Sequence, residues 1–194
     1  MDPLVTLGRT LGFSLAAGLN LYATVAIIGL ASRFGWVSLP PQFHVFENPY
    51  IIAAALVMYA IEFFADKIPW LDSLWDAVHT FIRPIGGALI AVAALGHASP
   101  AAQVLIALLG GSVAASSHLT KAGTRAVANT SPEPFSNWAL SLGEDGLVVA
   151  LGLLTLHHPL VALVVAVVLL VLIVMFARLL FKGLRRVLQP ARGR

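Results

Sequence analysis

The sequence has no cysteine and few charged residues, and these two absences narrow what the chain can be. Without cysteine it can form no disulfide, no thiolate nucleophile and no cysteine-ligated metal site. Charged residues make up 11% of the 194 residues, against roughly 25% in a soluble domain. Hydrophobic residues make up 59%, and the mean hydropathy is +0.89. This composition excludes an ordinary soluble domain and indicates an integral membrane protein.

Apolar runs divide the chain into about six candidate membrane spans, since a helix needs roughly 20 apolar residues to cross the hydrocarbon core. We therefore predict an all-α fold: a polytopic membrane helical bundle, with one domain covering residues 1–194. The predicted spans are about 10–31, 49–66, 84–98, 101–117, 146–157 and 159–181, followed by a basic cytoplasmic tail at 182–194.

The basic residues indicate an orientation, because cytoplasmic connections of membrane proteins are enriched in Lys and Arg. If both termini are cytoplasmic, that side holds eleven of the twelve Lys and Arg residues, and only Arg33 lies outside. We expect a multi-pass protein of the cytoplasmic (inner) membrane with cytoplasmic N- and C-termini. The net charge of +3 then reflects membrane anchoring, and no nucleic-acid partner is expected.

Two of the predicted spans are short and resemble each other. Residues 84–98 reach only about 22 Å as a helix, less than the hydrocarbon core, and residues 146–157 reach less. Either the preceding polar segment continues each helix, or the helix is broken. Segments 87–100 and 146–159 share their spacing from Gly to Pro, which favours an internal repeat of helical hairpins. Short segments at matching places in two halves point to a transporter-like binding site.

Ionisable residues within or beside the apolar runs form the candidate site. Such side chains are costly near hydrocarbon unless they face a partner or a water-filled cavity. Glu62 and Asp66 lie four residues apart and share a helical face. Two close carboxylates in a low dielectric share a proton readily, so they could serve proton coupling or bind a cation. Alternatively, Glu62 pairs with Lys67 or Arg125, and Asp66 lies among the lipid headgroups.

A second set of polar residues recurs every three or four positions: Asp72, Asp76, His79 and Arg83. In a helix they would form one stripe. If the helix lies in the membrane interface, the stripe is merely solvated. If the stripe faces inward, Asp72, Asp76 and His79 could hold a divalent cation such as Mg²⁺ or Mn²⁺. No other cofactor is predicted.

A third set follows the fourth span. Lys121 and Arg125 place two positive charges on one helical face, where they could hold a carboxylate, a phosphate or the acids of the first hairpin. Asn129 lies four residues further on and begins a predicted turn at 129–134, because two prolines prevent the helix from continuing.

Two other features complete the candidate residues. Glu144 and Asp145, flanked by glycines before an apolar run, are typical of a helix N-terminal cap, or else are ligands at a helix break. Asn20 lies near the middle of the first span among glycines. It is either an interhelical hydrogen-bonding residue in a packing seam or part of a re-entrant or pore-lining segment.

Three stretches carry a family resemblance: residues 14–35 (SLAAGLNLYATVAIIGLASRFG), 62–91 (EFFADKIPWLDSLWDAVHTFIRPIGGALIA) and 118–146 (HLTKAGTRAVANTSPEPFSNWALSLGEDG). Together they resemble an uncharacterised bacterial integral-membrane family known only as a domain of unknown function. The resemblance extends over roughly residues 8–185. It implies a small polytopic membrane protein and brings no activity or catalytic residues.

Three functions remain open at this point. The first is a small transporter or channel whose charged intramembrane site moves a small ion, a proton-coupled solute or an anionic headgroup. The second is a non-catalytic membrane scaffold, and the third is a metal-dependent enzyme acting on a lipid phosphate. The expected partners are the lipid bilayer and a small ion or solute. The small size of the chain favours a homo-oligomer.

Overall fold

The computed structural model describes residues 2–130 and 135–188. Within these ranges the chain is helical and contains no strand, so the all-α prediction is confirmed. A short 3-10 helix, Pro41–Glu47, precedes the third α-helix. The α-helices are α1 (Pro3–Leu19), α2 (Leu21–Arg33), α3 (Pro49–Ala65), α4 (Pro69–Leu95), α5 (Pro100–Ala128), α6 (Phe135–His157) and α7 (Pro159–Leu188).

Four of these helices, α4 to α7, are long and apolar enough to cross a membrane. The 3-10 helix and α3 pass the same test together and are bent by 65° at their junction, which brings the number of crossings to as many as five. The described residues therefore form a polytopic membrane bundle, as predicted. The number differs from the six predicted spans because residues 10–31 do not form one helix.

The two short spans belong to long, unbroken helices. Residues 84–98 form the second half of α4, and residues 146–157 form the end of α6. In each case the preceding polar segment continues the helix, one of the two alternatives that the sequence left open. Five of the seven α-helices begin at a proline, which lacks the N–H that the first turn would leave unpaired. Whether the hairpins form a true repeat stays a prediction.

The first predicted span is interrupted at Asn20. Its backbone is extended, with φ −150° and ψ 102°, and separates α1 from α2. The Asn20 side chain caps α2 by accepting a hydrogen bond from the Ala23 N–H at 2.9 Å. Non-helical backbone at membrane depth is tolerated only where protein surrounds it, and Asn20 is 2% exposed.

The chain reverses direction at this break. Near the start of α1, Arg9 donates a hydrogen bond to the Ser38 carbonyl at 3.2 Å. At the end of α2, Arg33 donates to the Glu47 carbonyl at 3.0 Å. Both acceptors lie in the connection between α2 and α3, so the far ends of α1 and α2 lie at the same end of the bundle. The two helices thus form a re-entrant hairpin that enters the bundle and returns.

The reversal determines at which end of the bundle the chain begins. Gly8 of α1 packs directly against the carbonyl of Pro159, where α7 begins. From there α7 runs to the opposite end of the bundle, where its residue Phe181 lines a groove with Thr120 of α5. The start of α1 and the end of α7 therefore lie at opposite ends of the bundle, an arrangement that differs from the predicted placement of both termini on one side. In the predicted tail, α7 continues to Leu188, and residues 189–194 lie outside the described residues.

Small residues let α4 and α5 approach closely. A Cβ atom added at Gly87 would overlap the Ala114 side chain, and one added at Gly110 would overlap the Ala91 side chain. Gly18, at the end of α1, packs against the Ala114 carbonyl in the same way. Small residues at such crossings are the usual basis of helix packing in membranes. This packing holds α1, α4 and α5 against one another beside Asn20.

The fold predicts the sidedness of cysteine labelling, which is simple to test because the native chain has no cysteine. Cysteines introduced by Asp2→Cys and Ser38→Cys should react with a membrane-impermeant maleimide from the same side. A cysteine introduced by Lys182→Cys should react only from the other side. Labelling of Asp2→Cys and Lys182→Cys from a common side would contradict the re-entrant hairpin.

The close packing predicts opposite effects for two glycine substitutions. Gly87→Ala should lower the free energy of unfolding by about 1–3 kcal/mol, because the added methyl group overpacks the α4–α5 crossing. Gly123→Ala should raise it by up to about 1 kcal/mol, since nothing lies within 4 Å of the new Cβ and alanine favours the helix. Unfolding of both variants in the same detergent would measure the difference. Equal stabilities would contradict the packing.

Candidate functional site

Nine charged side chains collect where α3, α4, α5 and α6 meet the α1–α2 break, and we call them the charged cluster. Every member of the cluster was a candidate from the sequence. It consists of Glu62, Asp66, Asp72, Asp76, Arg83, Lys121, Arg125, Glu144 and Asp145. The first seven are at most 5% exposed, and the last two are half-buried. Burial excludes the alternative that the stripe on α4 is merely solvated.

Arg83 lies near the middle of α4 and is completely buried. Its guanidinium donates to the Glu62 carboxylate at 2.6 Å and to the Gly18 carbonyl at 3.2 Å. It also donates to Nδ1 of His118 at 2.8 Å, and it lies 3.6 Å from the Asp76 carboxylate. One arginine therefore joins α1, α3 and α5 to α4.

Lys121 extends the network along α5. Its ammonium donates to Asp66 Oδ2 at 2.8 Å and to Glu62 Oε1 at 3.3 Å, and it lies 3.6 Å from the Glu144 carboxylate. A third hydrogen bond, at 3.3 Å, goes to the Leu19 carbonyl. Lys121 thus connects the acids of α3 and α6 to the end of α1.

Arg125 makes the most extensive contacts with carboxylates. Its guanidinium binds both oxygens of Glu144, with Nε–Oε1 at 3.1 Å and Nη2–Oε2 at 2.6 Å. It also donates to Asp66 Oδ2 at 3.2 Å and lies 3.9 Å from the Asp72 carboxylate. Such two-pronged contacts fix the orientation of both groups. Glu62 pairs with neither Lys67 nor Arg125, because its carboxylate already binds Arg83 and Lys121.

The broken end of α1 faces the bases of the cluster. The last carbonyls of a helix have no partner within it, and they form the negative end of the helix dipole. Two of these carbonyls, on Gly18 and Leu19, accept hydrogen bonds from Arg83 and Lys121. Asn20 also reaches Asp145 on α6 at 3.5 Å. Asn20 thus lies at a re-entrant break and also makes an interhelical hydrogen bond, so the structure combines features of both alternatives.

Two histidines border the cluster in fixed orientations. His79 Nδ1 must donate to the Trp75 carbonyl at 2.7 Å, so its Nε2 accepts from the Tyr22 hydroxyl at 2.9 Å. His118 accepts from Arg83 at Nδ1, so its Nε2 donates to Thr80 at 3.0 Å. With both its ring nitrogens engaged, His79 is not free to hold a metal with Asp72 and Asp76. Across residues 2–130 and 135–188, no group of three or more His, Asp or Glu side chains is arranged to hold a metal ion.

Glu144 and Asp145 correct a second prediction. They do not cap a helix or mark a break, because α6 begins at Phe135 and continues through them to His157. Their two glycine neighbours have no effect on the course of the helix. Asn129 does cap the end of α5, and its side chain donates to Asp72 Oδ2 at 2.8 Å. Part of the turn predicted after it lies outside the described residues.

Lys67 lies at the edge of the cluster, in the connection between α3 and α4. Its ammonium donates to the Phe63 carbonyl at 2.8 Å and to Ser141 Oγ at 3.3 Å. Burial lowers the pKa of Lys67, and the nearby charges of Asp145 and Asp66 act in the opposite direction. Lys67 is only half-buried, so solvent screens these effects.

The acids of the cluster outnumber its bases and are incompletely satisfied. Six carboxyl groups face three basic side chains, or four if Lys67 is counted. In each of five acids, one buried oxygen has no hydrogen-bond partner. These oxygens are Oε2 of Glu62, Oδ1 of Asp66, Asp72 and Asp76, and Oδ2 of Asp145. Buried polar atoms are normally paired, so these exceptions indicate where a proton, an ion or water is needed.

A cavity of about 200 Å³ opens between α4 and α5 beside this cluster. Asp72, Asp76 and Arg125 contribute to its wall. Glu62 and Lys121 do not contribute to this wall.

Several groups that complete the site were not among the predicted site residues. His118 recurs at helical spacing with Lys121 and Arg125, but it was not included in the site, although it contacts Arg83 directly. Asn137 is buried, and its carbonyl accepts from Arg125 at 3.3 Å. The backbone carbonyls of α1 carry no side-chain signal, and only the polar Asn20 within an apolar run pointed to them.

The geometry predicts that Arg83 is essential for stability. Arg83→Gln should lower the free energy of unfolding by about 3–5 kcal/mol, because it leaves Glu62 buried without its strongest partner. Adding Glu62→Gln should recover part of that loss. Arg33→Gln, which removes an exposed arginine at the other end of the bundle, is the matched control. If the double variant is less stable than Arg83→Gln alone, the pairing does not determine stability.

Comparison with known proteins identifies the family. A family model described as "Domain of unknown function (DUF4126)" matches residues 7–179, a range that includes every member of the charged cluster. No curated protein and no solved structure matches the chain. The resemblance carried by the three sequence stretches is confirmed in its main point. The chain belongs to the family defined by the domain of unknown function DUF4126.

Proposed function

We propose that this protein is a small membrane transporter or channel whose charged cluster binds a small cation and exchanges it with protons. The observation that carries the proposal is the excess of acids over bases in a buried site, together with the five carboxylate oxygens that lack hydrogen bonds. The other two functions considered from the sequence account for this excess less well.

The electrostatic argument concerns the cost of uncompensated charge. Removing a carboxylate from water costs several kcal/mol even after the protein relaxes, unless a partner compensates. If all six acids were ionised, the bases of the cluster would leave two or three of them uncompensated. Bound protons or cations must supply the missing positive charge. Because that charge is not covalently fixed, it can be exchanged.

The α1–α2 break supports transport in a second way. Discontinuous helices at membrane depth are typical of transporter sites, where unwound backbone and helix ends contact the ions. Here the end of α1 contacts Arg83 and Lys121. A modest movement of the re-entrant hairpin would change the partners of both bases and the charge balance of the acids. We infer that this hairpin is the moving element.

The orientation follows from the distribution of basic residues. Arg9 and Arg33 belong to the end of the bundle opposite the cluster, and the other ten Lys and Arg residues belong to the cluster half or to the C-terminal segment. We propose that the cluster half faces the cytoplasm, with the N-terminus on the outside of the inner membrane. The small number of crossings is consistent with a homo-oligomer.

The remaining functions have less support. An anionic headgroup would need free bases, yet Arg83, Lys121 and Arg125 are each engaged by carboxylates. A metal-dependent enzyme would need a metal-binding group, and the described part of the chain offers none of three or more ligands. A scaffold would be expected to pair its buried acids fully, and these acids are not fully paired.

Asp76 offers the sharpest test because its carboxylate has no close partner and lies between the cavity and Arg83. In proteoliposomes, Asp76→Asn should reduce proton and cation flux at least tenfold, roughly the effect of losing one charged ligand. Glu47→Gln is the control, because Glu47 lies at the opposite end and accepts hydrogen bonds from Ser32 and His44. Flux would be measured at matched amounts of folded protein.

Undiminished flux in Asp76→Asn would reject the assignment of this carboxylate. Absence of any proton or cation flux in the native protein, across several imposed ion gradients, would reject the proposed function itself. Glu62→Gln is less informative on its own, because Glu62 also pairs with Arg83 and Lys121, so its loss changes stability as well.

A further inference from the structure

The cavity between α4 and α5 has a composition that suits one kind of ligand. Its polar wall includes Asp72 and Asp76, and its apolar wall includes Ala77, Ala122 and Ala126. We propose that this cavity binds a small alkylammonium cation, with the ammonium group on Asp76 and the alkyl group against the alanines. The inference deepens the proposed function and rests on it, since it names the class of cation that the cluster receives.

Asp76 is the residue on which the site depends. Asp76 is 5% exposed. Its Oδ1 is buried without a hydrogen-bond partner and lies 3.6 Å from Arg83, the nearest basic group. Arg83 is itself directed at Glu62, His118 and the Gly18 carbonyl. The Asp76 carboxylate therefore has no short hydrogen bond to a basic group and forms part of the cavity wall, where it can accept hydrogen bonds from a ligand.

The neighbouring groups favour a cation over an anion. Asp72 lies one helical turn before Asp76 and is held by the Asn129 amide at 2.8 Å, and its Oδ1 lacks a hydrogen bond. Arg125 also borders the cavity, but Glu144 and Asp66 engage it. The charge offered to a ligand is therefore negative.

The volume of the cavity and the number of oxygen ligands that each cation needs favour an organic ammonium over a bare metal ion. A volume of about 200 Å³ holds several water molecules, each of which has roughly 30 Å³ in the liquid. A divalent metal would need several oxygen ligands in a closed arrangement. An ammonium group needs only a carboxylate and one or two further acceptors, such as the hydroxyl of Ser73 or Thr80 in the wall of the cavity. The alanine wall then shields the alkyl chain from water.

The experiment measures binding of propylammonium to the full chain in lipid nanodiscs, by saturation-transfer NMR. We expect saturable binding to the native protein and at least about tenfold weaker binding to Asp76→Asn, as for the loss of a charge-assisted contact. Ala126→Leu, which places a larger side chain in the wall of the cavity, should also weaken binding. Glu47→Gln should bind like the native protein.

Three results would overturn the inference. They are equal binding of propylammonium to the native protein and Asp76→Asn, equal binding of the uncharged 1-propanol, and displacement of propylammonium by an equal concentration of Na⁺. Equal binding to Asp76→Asn would show that Asp76 does not hold the ligand. Equal binding of 1-propanol would show that the ligand needs no charge. Displacement by Na⁺ would identify a site for inorganic ions instead.

The proposed function and this inference fail separately. Binding that depends on Asp76, without any flux of protons, Na⁺ or the amine in proteoliposomes, would keep the site and reject the transporter. Proton or Na⁺ flux that depends on Asp76, without propylammonium binding, would keep the transporter and reject the alkylammonium site.

Discussion

The buried contact between Arg83 and Glu62 is the interaction on which the arrangement of the helices depends. Both side chains are fully buried near the centre of the bundle, so neither charge can reach water if the other is removed. Arg83 also holds the end of α1 through the Gly18 carbonyl. Packing of Gly87 against Ala114 brings α4 and α5 close enough for these contacts to form.

The re-entrant hairpin places backbone carbonyls beside the buried charges and so changes how these charges are paired. Because the chain reverses at Asn20, backbone carbonyls that a continuous helix would have satisfied instead engage Arg83 and Lys121. The bases are thereby shared between carbonyl and carboxylate oxygens, and several acids keep unpaired oxygens. A site that contains more acceptors than fixed positive charges is suited to take up mobile positive charge.

The sequence predicted the class of fold and the charged residues, but not their geometry. Charge is so rare in this chain that each ionisable residue stood out, and the spacing from Asp72 to Arg83 predicted one helical face. The reversal at Asn20 could not be predicted, because an asparagine in an apolar run is equally consistent with a packed, continuous helix. The glycines beside Glu144 and Asp145 suggested a helix end, yet α6 continues through them, because a helix tolerates single glycines at a modest cost.

The central claim is that exchangeable positive charge balances the excess acids of the cluster. Infrared spectroscopy of the protein in bilayers at neutral pH tests it most directly, because protonated carboxyl groups and carboxylates absorb separately. The account predicts a protonated carboxyl signal that exchanges with D₂O and diminishes when the cation binds. A protein whose six cluster acids are all ionised, with no cation bound, would contradict it.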